Sequence, residues 1–231
     1  MIFGIDHVVF AATPAQCAEI AASLEQRGFV REAFSLDFGD SGVGSESWSF
    51  ASGAFLELVS EHTPGSGPAV WFGETPRVIG IGFASDAFEQ DIAWDSPDPG
   101  AWAMDEQHAM RDGSTLRIHA AGPHRHLSDL YAFVMDRPEG RLEFPARPQT
   151  PVLDTITLAG AARQAWATRL ARWLRAPATA DGALEVGGVR LAFAPGASPN
   201  ARASLSFTGA SAETIPLVGG AIEIAARDEA A

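Results

Sequence analysis

The chain has 231 residues, 46% of them hydrophobic and 19% charged, the balance of a folded globular protein with a substantial core. Acidic residues number 29 against 16 basic ones, and the net charge of −13 repels phosphate backbones and anionic membrane surfaces, so neither nucleic acid nor membrane is an expected partner. No apolar run approaches the ~20 residues that cross a bilayer and the chain begins directly in a strand, so a cytoplasmic location is expected.

Gly4-Ile5-Asp6-His7-Val8-Val9-Phe10 reads as the first strand, and two-residue alternation puts His7 on the face of Ile5 and Val9. Thr13-Pro14-Ala15-Gln16 is a helix start, with Thr13 as N-cap, Pro14 at the first helical position and Gln16 three residues on from the cap. Cys17, Ile20, Ala21 and Leu24 follow on one face, predicting an amphipathic helix over 14–27 that stops at Gly28 and buries Cys17 as an inert thiol. Strands are expected over 29–37, 46–51 and 54–61, the last carrying Glu57 on the face of Phe55 and Val59. The proline- and glycine-rich loop 62–76 carries Trp71 and Phe72, which either cover a pocket or plug the core. The same order then recurs: a strand over 77–84, a short helix over 86–94 capped by Ser85, a loop over 95–101, a hairpin of 105–111 and 114–120 turned at Asp112-Gly113, and a closing strand over 130–135. Glu143 to Pro151, with three prolines, is the best boundary in the chain. Beyond it, a strand over 152–158, a helix over 161–175 and short strands near 183–186, 189–194, 203–207 and 221–224 read as a third such unit.

Asp6-His7-Val8-Val9-Phe10, a helix, and then Phe55-Leu56-Glu57-Leu58 resemble the first βαβββ module of the vicinal oxygen chelate superfamily, which includes glyoxalase I, extradiol dioxygenases, fosfomycin-modifying enzymes and bleomycin-binding proteins. Met110-Arg111-Asp112-Gly113-Ser114-Thr115-Leu116-Arg117 is similar to a hairpin of its glyoxalase-like domain proteins. The resemblance spans about residues 3–140 and implies an α+β fold in which paired βαβββ modules, 1–62 and 77–138 of a domain over 1–142, form an open curved sheet with the site on its concave side. A proline-rich linker over 143–151 then leads to a C-terminal βαβ-type extension over 152–231, a third βαβββ-like unit that either packs on the outside of the cup or pairs with another subunit. Edge-to-edge dimers are frequent in the superfamily, so a homodimer is an implied state.

Metalloenzymes of the superfamily draw their ligands from the first and fourth strands of each module. His7 and Glu57 match the first-module positions, and histidine with carboxylate suits zinc, iron, manganese or nickel. The equivalent second-module positions are Gly80 and Phe133, which offer no donor. Two readings stay open: His7 and Glu57 bind a divalent metal, with His108 or His119 as a further donor, or they form a metal-free acid–base pair in an apolar cup. On the second hairpin strand Thr115, Arg117 and His119 alternate with Leu116, Ile118 and Ala120; Arg117 grips an anionic group if that polar side faces the cup, and is a surface residue if it faces solvent. Tyr131, the only tyrosine, falls at an inward position as either a hydrogen-bond donor to substrate or a packed core ring. His124-Arg125-His126 reads as a solvated basic turn and Gly39-Asp40-Ser41-Gly42 as a hairpin loop. Gly65-Ser66-Gly67 and Gly80-Ile81-Gly82 lack the rest of a dinucleotide fingerprint, so no nucleotide cofactor is expected. All 16 basic residues are arginine, which excludes lysine Schiff-base chemistry. The resemblance implies a glyoxalase-like lyase or isomerase acting through an enolate on a small oxygenated organic molecule, with His7 and Glu57 central and Arg117, His119, Tyr131 and His108 around the substrate. The alternative is a non-catalytic drug- or metabolite-binding protein with a degenerate metal site.

Overall fold

A computed structural model describes residues 1–37, 42–67, 72, 77–92, 102–109, 115–122, 131–161, 163–196, 202–209, 213–217 and 220–226. The expected loops at 39–41 and 95–101, Trp71, the Asp112-Gly113 turn and His124-Arg125-His126 lie outside the described residues. The first module runs β1 (Ile2–Ala11), α1 (Pro14–Gln26), β2 (Val30–Asp37), β3 (Val43–Ser49) and β4 (Phe55–Glu61). The second runs β5 (Arg77–Ser85), α2 (Phe88–Asp91), β6 (Trp102–Ala109), β7 (Thr115–Gly122) and β8 (Tyr131–Asp136). Together they make one eight-stranded sheet, β2-β3-β4-β1-β5-β8-β7-β6. Each module closes with a parallel pair, β1 with β4 and β5 with β8, and the modules meet along the antiparallel pair β1 and β5.

Local chemistry explains the boundaries. Thr13 and Gln16 form a reciprocal capping box, Thr13 Oγ1 accepting from Gln16 N–H and Gln16 Oε1 accepting from Thr13 N–H, and Gly28 leaves the helix at φ 85°. The helix expected over 86–94 is shorter. It begins after Ala87, because Ser85 Oγ accepts from the Ala87 N–H at 3.0 Å and donates to Asp91 at 2.6 Å, which pins the entry two residues later.

The C-terminal part is not one unit but two abridged ones. Its strands are β9 (Val152–Ala159), β10 (Leu184–Val186), β11 (Val189–Ala194), β12 (Arg202–Gly209), β13 (Glu213–Leu217) and β14 (Gly220–Ala226), with α3 (Arg163–Leu174) after β9. They form a second sheet, β10-β11-β9-β12-β14-β13, in which β9 runs parallel to β11, β12 parallel to β14, and β9 antiparallel to β12. That is the pairing of the first sheet repeated with fewer strands. The strand missed from the sequence, β13, contains Pro216 and sits at the sheet edge, where a proline disrupts no inner ladder.

One core joins the two sheets. Ile5, Val8, Phe10, Ile20, Leu24, Trp48, Leu56, Ile81 and Phe83 pack in a single cluster with Ile156, Leu158, Trp166, Leu170, Leu191, Leu205 and Phe207. Phe207 meets Phe29 and Phe50 edge-on, with centroids 5.0 and 4.9 Å apart. The second sheet therefore covers the helix-bearing face of the first, the exterior option of the two expected. A separate cluster, Val9, Ala11, Val59, Ile79, Ile118, Phe133 and Met135, lines the other, concave face, and Phe72 packs against it as a plug. Between β8 and β9 the chain holds only a 3-10 turn, Pro138–Gly140, and crosses as a strap tied down by Phe144 N–H to Gly53 O at 3.3 Å and Arg147 N–H to Ala51 O at 3.0 Å. No helix among the described residues is long and apolar enough to cross a membrane.

Candidate active site

The site starts from an irregularity in β1. Ile5 pairs with Phe83 and His7 with Gly82, so Asp6 is an extra residue facing no partner of its own, a β-bulge. The bulge shifts the alternation by one: Ile5 stays in the core between the sheets, while Val9 and Ala11 belong to the concave cluster and His7 joins the concave side. The expectation that His7 shares a face with Ile5 fails for that reason. The bulge also brings the Asp6 carboxylate to the edge of the His7 ring, with Nδ1 donating to Asp6 Oδ1 at 2.7 Å.

Asp6 is wholly buried and is gripped from the other side by Arg137, whose Nε donates to Oδ2 at 2.6 Å and Nη2 to Oδ1 at 3.0 Å. Burial alone would raise the Asp6 carboxyl; the Arg137 guanidinium and the His7 ring outweigh it and hold the group far below the usual carboxylate range. An ionised carboxylate can only accept, so Nδ1 of His7 carries a proton and Nε2 is the working nitrogen. That nitrogen lies 3.7 Å from Glu57 Oε2. Glu57 shares the concave face as expected, and both side chains are more than nine-tenths buried.

Gly82 opposite His7 is required by this packing. A Cβ there would fall 2.9 Å from His7 Cε1 and 3.0 Å from Phe133 Cε2. The imidazole is stacked on Phe55 at 4.6 Å and tilted against Phe133 at 5.2 Å. Phe133 also lies 3.2 Å from where a Gly80 side chain would begin, so this one ring fills the space of both second-module ligand positions. A cavity of about 130 Å³ opens beside the pair, lined by His7, Phe55, Glu57, Trp102, Met104, Ile118, Phe133, Arg137 and Glu143.

Glu143 comes from the strap, and its Oε2 lies 2.6 Å from Arg137 Nη1. Burial pushes its carboxyl up, and the Asp6 charge adds to that against the opposing pull of Arg137. Phe144 beside it meets Phe55 edge-on at 5.1 Å. Sequence reasoning missed Asp6, Arg137 and Glu143. An Asp-His dipeptide in a strand was the only local signal.

The other expected residues are placed differently. Leu116, Ile118 and Ala120 face the cup, and the polar side of β7 faces away from it. Arg117 is exposed and clasps Asp105 through Nε at 2.7 Å and Nη2 at 2.9 Å, although part of the residue borders the cavity. His119 sits on the outer face against Phe88, with centroids 4.1 Å apart and Nδ1 3.0 Å from Asp136. His108 lies at the far end of β6, 3.2 Å from Glu106, and Tyr131 packs along the concave cluster; neither lines the cavity. Cys17 is half-buried, and burial raises its thiol to about 11.

Two donors do not make a coordination sphere. Among the described residues no group of three histidine, cysteine, aspartate or glutamate side chains could hold a metal ion, and Phe133 occupies the place from which a third would come.

The second sheet repeats the backbone of this site without its chemistry. Leu153 pairs with Phe207 and Thr155 with Ser206, leaving Asp154 as the extra residue of a matching bulge. By ladder position Asp154 and Thr155 correspond to Asp6 and His7, Ala192 to Glu57 and Ser206 to Gly82. Thr155 Oγ1 donates to Asp154 at 2.8 Å, but Asp154 is exposed.

No protein-family model and no curated protein matches the sequence. Solved structures do match the fold. The chain is similar to a hypothetical protein from Staphylococcus aureus (TM-score 0.74, 8% identity, covering 98% of this chain and 100% of that one). It is similar to a mutant of 4-hydroxymandelate synthase from Streptomyces coelicolor (TM-score 0.61, 14% identity, 90% and 71% covered). The Mn(II)-bound glyoxalase from Novosphingobium aromaticivorans also matches (TM-score 0.52, 13% identity, 90% and 65% covered). The chain has the vicinal oxygen chelate fold: paired βαβββ modules in an open eight-stranded cup, backed by a second sheet.

Proposed function

We propose that this vicinal oxygen chelate fold protein is a glyoxalase-like enzyme of the lyase or isomerase type, which shifts a proton on a small oxygenated organic molecule with His7 and Glu57 as its acid–base pair. The observation that carries this reading is the His7 Nε2 to Glu57 Oε2 approach of 3.7 Å beside a small cavity. Asp6 holds the opposite edge of the imidazole, as an orienting carboxylate should. Glu57 takes a proton from the hydroxyl-bearing carbon next to a carbonyl, the C–H electron pair becomes the new C=C bond, the carbonyl π pair moves onto oxygen, and protonated Nε2 of His7 delivers a proton to that oxygen. In the return step the hydroxyl on the first carbon gives its proton to Nε2 as its own C=O bond forms, and Glu57 delivers its proton to the former carbonyl carbon, which completes an isomerisation with both side chains restored. About 130 Å³ holds roughly four water-sized groups, enough for the reacting end of a small carbonyl compound. A divalent metal is known for the manganese-bound glyoxalase of similar fold; here two donors suit proton transfer better than chelation.

The test is exchange of solvent deuterium into a panel of small hydroxyketones and hydroxyaldehydes, followed by proton NMR, with His7→Gln and Glu57→Gln variants and elemental analysis of untagged protein. Either substitution should slow exchange by about 10²-fold or more while the protein stays folded. Exchange that persists in both variants, or stoichiometric metal lost from both, would overturn the metal-free pair. The Phe133 ring packed on His7 favours a second reading, a binding protein with a degenerate site. Tight ligand binding without exchange would select it.

A further inference from the structure

The cavity beside His7 and Glu57 has two unlike sides. One holds the acid–base pair with Arg137 and Glu143; the other is a wall built by Trp102 and Met104 of β6, Leu116 and Ile118 of β7, and Phe133 of β8. Trp102 and Phe133 meet with centroids 5.8 Å apart, and Phe55, stacked on the His7 ring at 4.6 Å, brings a third apolar ring to the same space. Trp102, Met104 and Leu116 are only half-buried. Apolar surface left wet at the edge of a small cavity is surface that an apolar ligand group gains by covering. The size suits one such group: a cavity of about 150 Å³ with apolar walls takes a benzene ring, and this one measures about 130 Å³.

The charges narrow the ligand further. Two arginines border the cavity among the described residues, and each already holds a carboxylate. Arg137 gives Nε and Nη2 to Asp6 and Nη1 to Glu143. Arg117 gives Nε and Nη2 to Asp105, on the side of β7 away from the cup. The carboxyls of Glu57 and Glu143 border the cavity as well, and Nε2 of His7 serves the reacting oxygen. A carboxylate or phosphate on the ligand would lose its hydration here and meet carboxyls in place of an unclaimed guanidinium, a cost that an uncharged ligand escapes.

We infer that the site selects an uncharged hydroxycarbonyl compound bearing one compact apolar group, a phenyl ring or a short branched chain, and rejects analogues that carry a carboxylate or phosphate. The apolar group lies against Trp102 and Phe133, which leaves the hydroxycarbonyl end at His7 and Glu57. Trp102 and Met104 set the preference, because they close the wall from β6, the edge strand of the sheet. The inference rests on the proton-transfer reading for the reacting end of the ligand; the apolar wall and the pairing of the arginines stand without it.

Binding can be followed without turnover, by NMR titration of the His7 ring signal in protein labelled at histidine nitrogen, His7 being assigned from the signal lost in His7→Gln. The probes are hydroxyacetone, α-hydroxyacetophenone and the para-carboxylate of α-hydroxyacetophenone. The aryl ketone should bind about tenfold or more tighter than hydroxyacetone, and about tenfold or more tighter than its para-carboxylate. Trp102→Ala should lose most of the preference for the ring, and Met104→Arg, which adds an unclaimed cation to the half-buried wall, should bring the carboxylate level with its parent or ahead of it. Equal binding of the two uncharged ketones, equal binding of the aryl ketone and its carboxylate, no saturable binding of either uncharged ketone, or a ring preference unchanged in folded Trp102→Ala would each overturn the inference. Binding in the expected order without deuterium exchange would sink the enzymatic reading alone, and exchange on hydroxyacetone with no preference for the aryl ketone would sink the ligand class alone.

Discussion

Replacing Asp6 by asparagine tests the buried network directly. The residue has no exposed surface and accepts three hydrogen bonds from cationic or ring N–H donors, at 2.6, 2.7 and 3.0 Å. Asparagine nearly preserves the shape and retains one acceptor oxygen, but it turns the other into an amide donor facing Arg137. Charge-assisted bonds are worth about twice neutral ones, and losing one partner of a buried ion pair costs about 3–5 kcal/mol. Glu143 remains on Arg137, so the lower end applies, and Asp6→Asn should cost about 3 kcal/mol out of a total of roughly 5–15. With a urea m-value of about 2–3 kcal/mol/M, the midpoint should fall by about 1–1.5 M at pH 7 with m unchanged. The pH dependence has a definite sign. The folded-state affinity of Asp6 for a proton is depressed below the unfolded value of about 4, so its contribution is fully present above that pH and is lost as the pH falls further. The gap between wild type and variant should therefore narrow below about pH 4. A loss under about 1 kcal/mol at pH 7, or a gap that widens in acid, would refute the description of Asp6 as an ionised, gripped carboxylate.

Other expectations follow from the same geometry. Gly82→Ala places a methyl 2.9 Å from the His7 ring, and overpacking of about 1–3 kcal/mol should outweigh the gain of roughly 0.5–1 kcal/mol from removing a strand glycine; a thermal midpoint at or above wild type would show that the ring has room. Cys17, half-buried and with its thiol raised to about 11, should react with a disulfide reagent at pH 8 well over tenfold more slowly than a free thiol does, and labelling of native protein at the free-thiol rate would contradict the raised thiol. Phe207→Ala removes a fully buried ring packed on Phe29 and Phe50 and should cost about 3–5 kcal/mol in one cooperative transition; two resolved transitions would argue against a shared core.

The parts legible in the sequence are those set by local chemistry and period. The Thr13–Gln16 cap, the face of Glu57 and the module order follow from neighbours and period in the chain, while the pairing of His7 with Glu57 came from the resemblance to the first βαβββ module. Asp6 was hidden by the same rule that located His7: alternation sends it to the opposite face, and only the ladder with β5 reveals the bulge. Arg137 lies 131 residues from Asp6 and Glu143 falls in a proline-rich segment without periodicity, so no pattern could link them to the site. Arg117 and His119 were correctly seen as one polar stripe, yet a stripe does not say which side of the sheet meets water. The paired nature of residues 152–226 was obscured by short strands and by the edge strand that holds Pro216.

The two bulges make an internal comparison. Both sheets carry an aspartate at the extra position of the central strand, and in one it is sealed while in the other it lies open to water. The difference is a roof. Over Asp6 stand Arg137 and the strap that brings Glu143 and Phe144; Asp154 has no such cover among the described residues. That roof is the tether between the two halves, so the tether belongs to the first half's chemistry as much as to the chain's continuity. A protease cut within 141–147 would leave every strand of both sheets intact and still unroof the pair, and a first half made alone would end where its site is meant to close.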